Sequence, residues 1–345
     1  MLEHIYISAA KQISAQSPLT DDWMTRPLRY GEAFVPAVDP DYRPFFPSNT
    51  ARRLGKILKR ALLVSRQAMQ AAEVDVPDAI ITGTGFGCIE NTEIFLGAMV
   101  KEGESLLKPT HFMQSTHNTI SSLIAIDCRC HGYNMTYSHK ALSFECALLD
   151  AFIRLRNGDA ANVLAGGHDE LTPNFHAILQ RPERLDAGTA FRSETAVGMM
   201  LTGRPVPNAL CRFDGIETFY RPGAPQLKQA LDGMLAQAGC RYEDVDAVLT
   251  GCNGMPADEE AYRQWCAELF PGKARLRYKH LFGESFTSSA AGVYVAATCL
   301  HRQQIPAHLF ADEGHAALHD AKHLLLYHLF ENRTHSLILL SSCGN

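Results

Sequence analysis

The chain has 345 residues, 46% hydrophobic and 20% charged, with a formal net charge of −5 and a pI near 6.3. That profile fits a globular chain of one large domain or two halves of about 150 residues each. It offers no global positive field for nucleic acid, no apolar run of about 18 residues for a membrane span, and ten cysteines without framework spacing. The N-terminus lacks a cationic segment followed by an apolar core, so the expectation is a reduced cytoplasmic protein with free thiols.

Residues 4–10, HIYISAA, predict a strand, and the Pro- and aromatic-rich stretch 18–50 predicts an irregular packed loop. Residues 52–73 predict a helix, with Leu54, Ile57, Leu58, Ala61, Val64, Ala68 and Met69 on one stripe. DAIITGTGFG (78–87) reads as a buried strand ending in a glycine turn. Helices follow at 115–131 and at 142–158, the second stopped by Gly158. Residues 161–167 and 196–203 are strand-like. The pattern then restarts with a helix at 226–239 and a strand with a glycine turn, DAVLTGCNG, at 246–254. A small-residue helix at 288–302 and the closing strand of HSLILLSSCGN complete the chain. The repeat predicts a duplicated α/β unit with halves 1–205 and 206–345.

Several motifs resolve to structure. GTGFG (83–87) has Cys88 where a dinucleotide fingerprint needs its third glycine, so it reads as a turn. In CRCH (128–131) a helix would put Cys128 and His131 on one face and Cys130 on another, which suits packing better than zinc. His315, His319 and His323 would share a helical face, but no HExxH frame is present, and a solvated face is the reading. No metal or cofactor is expected, and no GxSxG elbow or P-loop occurs.

The stretch from Thr136 to Glu170 combines a turn, an amphipathic helix, an NGD stop and the strand VLAGGHDE. It resembles the nucleophile helix and following strand of the β-ketoacyl-acyl carrier protein synthases, of the thiolase superfamily. YKHLFGESFTSSAAG (278–292) is similar to the family's Lys-x-x-x-Gly-His segment and its small-residue helix. The resemblance covers most of the chain. It implies a thiolase-like α/β fold: two related halves, each a mixed sheet with helices, stacked in five αβαβα layers.

The family's chemistry needs a Cys to carry the acyl thioester and two His to stabilise the enolate from malonyl decarboxylation. A gapless count back from Gly158 puts Ala141 at the nucleophile position. Gly251 or Cys252 stands for the first His, and Glu284 for the second, while Lys279 and Gly283 are retained. A carboxylate at 284 would oppose a developing enolate. The Gly-Phe-Gly-Gly gate is missing near LLSSCGN.

The pattern resembles the chain-length factors, silent subunits that pair with an active ketosynthase, as in aryl polyene and flexirubin-type clusters. It implies a dimer with such a partner or with itself, and an acyl carrier protein as the second partner. The family's two-fold pairing of edge strands points to NVLAGG as the edge. Two alternatives stand: an active acyltransferase using Ser138 assisted by His139, and an acyl-thioester binding protein. Arg52, Arg53, Lys56, Lys59 and Arg60, grouped on the helix 52–73 away from its apolar stripe, form the candidate carrier-docking face.

Overall fold

The computed structural model describes residues 4–104, 107–180, 190–312 and 314–343. Ten strands form its main sheet: β1 (Ile5–Ile13), β2 (Ala79–Gly83), β3 (Tyr133–Tyr137), β4 (Asn162–Asp169), β5 (Thr195–Thr202), β6 (Cys211–Tyr220), β7 (Ala247–Thr250), β8 (Ala274–Arg277), β9 (His323–Phe330) and β10 (Thr334–Ser341). Their order is β8-β7-β9-β10-β6-β1-β5-β4-β2-β3. Each half therefore reads third, second, fourth, fifth, first. The strand directions match as well. β2 runs parallel to β3 and β4, as β7 does to β8 and β9, while β5 and β10 are antiparallel to their neighbours. The duplication seen in short sequence echoes is thus a full topological repeat. The halves join where Ile5–Ile7 pair with Cys211–Phe213.

Strand residues point alternately to two faces, and both faces are apolar. Ala79 and Ile81, Val163 and Ala165, Leu324 and Leu326, and Ile338 and Leu340 face one shared core. That core also holds α5 (Ser143–Asn157) and α9 (Ser288–Arg302). Ile80, Leu164 and Met200 face outward onto α1 (Lys56–Ala71) and α4 (Thr119–Cys128). Val248, Leu325, Leu337 and Leu339 face outward onto α7 (Ala224–Ala238) and α8 (Pro256–Leu269). The layers are α1/α4, half-sheet, α5/α9, half-sheet, α7/α8. Three further elements complete the description used below: α2 (Ile89–Glu102), α3 (Pro109–Met113) and α6 (Pro173–Gln180).

Some expectations shift. The helix expected at 52–73 starts at Lys56, after Gly55, so Arg52 and Arg53 lie in a turn. Arg60 is 1% exposed and bonded to Asp39 at 2.6 Å and Glu194 at 2.9 Å. It is an interior clamp and leaves the docking face, because a buried guanidinium needs fixed carboxylates. The helix of CRCH ends at Cys128, with Arg129 left-handed (φ 56°), so Cys128 and His131 share no helical face. Cys130 is buried, as packing required.

The three spaced histidines lie on no helix. His319 ends a two-residue strand, Asp320 has φ 60°, and His323 begins β9. NVLAGG is interior, between β2 and β5; the free edge of that half is β3. The closing Gly344 and Asn345 lie outside the described residues.

Candidate functional site

The site lies where the turns after β2 and β7 and the strand β9 approach the starts of α5 and α9. Gly83 closes the strand side: a Cβ there would lie 2.3 Å from the Ser143 carbonyl oxygen, so only glycine lets β2 meet the start of α5. Ala141 is buried in a single 3₁₀ turn before α5, and Lys140 beside it has φ 50°. The Ser143 hydroxyl ties this turn, donating to the Lys140 carbonyl at 2.6 Å and accepting the His139 amide at 2.8 Å. The position expected of a nucleophile thus carries a methyl group.

Ser138 and His139 are both exposed. The His139 ring meets the Cys146 thiol at 3.6 Å rather than Ser138. Burial, then the Glu145 charge, pushes that thiol up to about 11, away from the reactive thiolate.

Two of the other positions singled out in the sequence, Gly251 and Glu284, meet at one buried network. Lys279 is fully buried, and its Nζ lies 2.7 Å from Glu284 Oε2 and 3.1 Å from His328 Nε2. His328 Nδ1 is 2.8 Å from Glu145 Oε1. An ammonium only donates, so His328 accepts at Nε2 and donates from Nδ1 to Glu145. Ser288 donates to Glu284 Oε1 at 3.0 Å, Asn253 donates to Oε2 at 3.3 Å, and Ser336 donates to Glu145 at 3.3 Å. Burial opposes ionisation of Glu284, but the Lys279 ammonium and the hydrogen bonds from Lys279 and Ser288 outweigh it and hold the carboxyl below its ordinary range. Asp258 nearby is pushed up, chiefly by burial and in spite of Lys279.

Gly251 lies against this network, since a Cβ there would be 2.3 Å from His328 Cδ2. Cys252 contacts the Glu259 carboxylate and, with Asn253, Tyr30, Arg277 and His280, lines a cavity of about 280 Å³. Burial, then Arg277, lowers His280 to about 4, so its ring is neutral near pH 7.

Lys279 and Glu284 were legible as positions; their salt bridge, and the roles of His328, Glu145 and Asn253, were not. His328 in LLLYHLF and Glu145 in LSFECALL are polar residues at apolar positions of a strand and a helix, a signal for buried partners. The nucleotide-like GTGFG turn is also occupied from within. Asp169 Oδ1 accepts from the Gly85 and Phe86 amides at 2.8 and 3.0 Å and from the Thr84 hydroxyl at 3.0 Å. Among the described residues, no cluster of three His, Cys, Asp or Glu side chains could hold a metal, and no helix is long and apolar enough to cross a membrane.

Residues 23–230 match the family model described as β-ketoacyl synthase, N-terminal domain. The chain belongs to the β-ketoacyl synthase family. Its fold is that of solved ketosynthases. The ishigamide ketosynthase/chain length factor superposes with a TM-score of 0.82 at 14% identity, over 99% of both chains. A β-ketoacyl synthase from Burkholderia phymatum gives 0.80 at 14%, over 99% of this chain and 100% of that one. The complex of the ketosynthase ApeO with its chain length factor ApeC, from Xenorhabdus doucetiae, gives 0.77 at 15%, over 99% and 98%. No curated protein matches the sequence.

Proposed function

We propose that this chain is a non-catalytic, chain-length-factor-like subunit of a type II β-ketoacyl synthase complex acting in the cytoplasm, built as one unit from halves 1–205 and 206–345. The observation that carries the reading is Glu284. At the position of an enolate-stabilising His stands a carboxylate, already committed to Lys279 at 2.7 Å. An anion there repels the charge that decarboxylation develops, and the amine that could offset it is spent. Ala141 offers no nucleophile, and neither Gly251 nor Cys252 supplies the imidazole the chemistry needs.

The active ketosynthase would pair along β3, whose sequence YNMTY has one unpaired edge and carries the exposed Met135, with Ile126 of α4 also exposed. Pairing with a second copy is the homodimeric form of the same contact. An acyl carrier protein would meet Arg52, Arg53, Lys56 and Lys59, of which the first three are exposed.

The test incubates the chain, alone and with its co-expressed ketosynthase, with acyl and malonyl carrier-protein thioesters. Condensation is expected with the pair and no mass adduct on the chain alone. A stable adduct on this chain would sink the silent-subunit reading. The alternative reading, an acyltransferase using Ser138 assisted by His139, has less support, because the His139 ring meets the Cys146 thiol and that thiol is pushed up by burial. Under that reading an adduct forms on Ser138 or Cys146, and Ser138→Ala or Cys146→Ala abolishes it. Ala141→Cys alone should not restore condensation.

A further inference from the structure

The end of β4 runs straight into Glu170, which is 1% exposed. Its Oε2 accepts the backbone N–H of Ile57 at 3.3 Å, and its Oε1 accepts that of Glu90 at 3.0 Å. These amides lie in the first turns of α1 and α2. Neither N-cap residue, Gly55 or Cys88, supplies a side-chain acceptor. One carboxyl group therefore serves two helix starts that are otherwise uncapped.

The tie matters most for α2. Of its side chains only Asn91 is buried, while Ile94, Leu96 and Val100 are exposed, and it packs mainly on α3. The root of α2 is held by Glu170, by the bond of Thr172 to Glu93 and by the Lys56–Glu90 pair at 3.5 Å.

The charges facing Glu170 come from several elements. From α2, Glu90 is an anion shared with Lys56 of α1. From the segment before β5, Glu194 is an anion bound by Arg60 of α1, which also holds Asp39. The Cys88 thiol precedes α2, and Asp169 is turned away to the 84–86 turn. Among the described residues no cation pairs directly with Glu170.

We propose that Glu170 is a proton-operated latch: neutral, it leaves no unpaired charge buried beside Glu90 and Glu194 and the root of α2 stays closed; ionised, it favours opening of α2 and α3 toward water, although its amide bonds alone would favour the anion. Burial raises its carboxyl to about 7; Glu90 and Glu194 add to the rise, and the two amide bonds only partly offset it. The opened segment would leave an exposed glutamate near about 4.3. The closed state therefore binds more protons between those values. Its stabilisation is full below the lower one and is lost as pH rises to about 7.

Amide exchange on the full chain, corrected for intrinsic rates, tests this. Protection at residues 89–94 should fall about tenfold from pH 6 to pH 8, with residues of α7 as the unchanged control. Glu170→Gln should make the 89–94 profile flat. Glu90→Gln keeps the backbone amide but removes an anion, so the midpoint should move to lower pH. A flat wild-type profile, a step that survives Glu170→Gln, or a midpoint unmoved by Glu90→Gln would each overturn the latch.

Discussion

In the N-terminal half, the turn after β2 gives its amides to Asp169 at the end of β4. In the C-terminal half, the matching turn after β7 packs Gly251 against His328 of β9, the strand that corresponds to β4. The topology is the same at both corners, and so is the problem of a buried polar group. The first corner solves it with backbone donors, fixed wherever the chain turns. The second solves it with side chains, each satisfied only if the next one is in place. A network of that kind is rigid when every member is satisfied and costly when one is not.

Removing the cation should break the comparison hardest. Lys279→Met leaves Glu284 buried with no counter-charge and should cost about 3–5 kcal/mol in urea unfolding. Adding Glu284→Leu should recover most of it, because an apolar pair of similar volume carries no desolvation debt. A single variant within about 1 kcal/mol of wild type would show that the ion pair does not organise this corner.

The backbone-served corner should be milder. Asp169→Ala frees the Gly85 and Phe86 amides and should cost about 1–3 kcal/mol. The two acids should also differ in pH response. Glu284 is held low, so its stabilisation is present above the ordinary carboxylate range and is lost as pH falls below it. Asp169 is raised, chiefly by burial, so its contribution is fullest at low pH and declines as pH climbs through that range. Melting curves of Glu284→Gln and Asp169→Asn, each subtracted from wild type across pH 3–7, should slope in opposite directions; parallel slopes would erase the distinction.

The smallest effect belongs to the surface. Arg52→Glu with Arg53→Glu, both exposed and in the turn before α1, should change stability by about 0.5 kcal/mol or less. The same pair should slow association with an acidic carrier protein several-fold at low salt, by stopped-flow. Unchanged rates would assign these cations to solubility.

The half-sheets and central helices were legible because their signals are local and dense. DAIITG, NVLAGG and LILL carry uninterrupted apolar runs, and α5 and α9 carry clear stops or small-residue faces. Counting from Gly158 and Lys279 singled out Ala141 and Glu284, and the structure buries both. What could not be read was long-range pairing. Glu145 and His328 are 183 positions apart and meet only across the central layer. Arg60 looked like one of five surface cations because periodicity places a residue on a helical face but does not say what the loop at 39 brings over it. The edge strand was misjudged for the same reason. NVLAGG is apolar because it is central, whereas β3, the real edge, has a weak alternating pattern.

The two ends of the ten-stranded sheet are not alike. At β8 the outer edge is shielded: Leu276 bridges Phe310, the Ala311 amide donates to the Arg275 carbonyl at 2.8 Å, and Arg275 pairs with Asp312 at 3.1 Å. At β3 no side chain is charged, and Met135 is exposed. Open-ended polymerisation of a sheet needs two sticky ends, so that each added molecule offers a fresh one. A molecule with one blunt end and one adhesive end can recruit a single neighbour, and growth terminates there. The 310–312 segment over β8 is therefore a brake on fibre formation, and breaking its Arg275–Asp312 pair is the change that would loosen it.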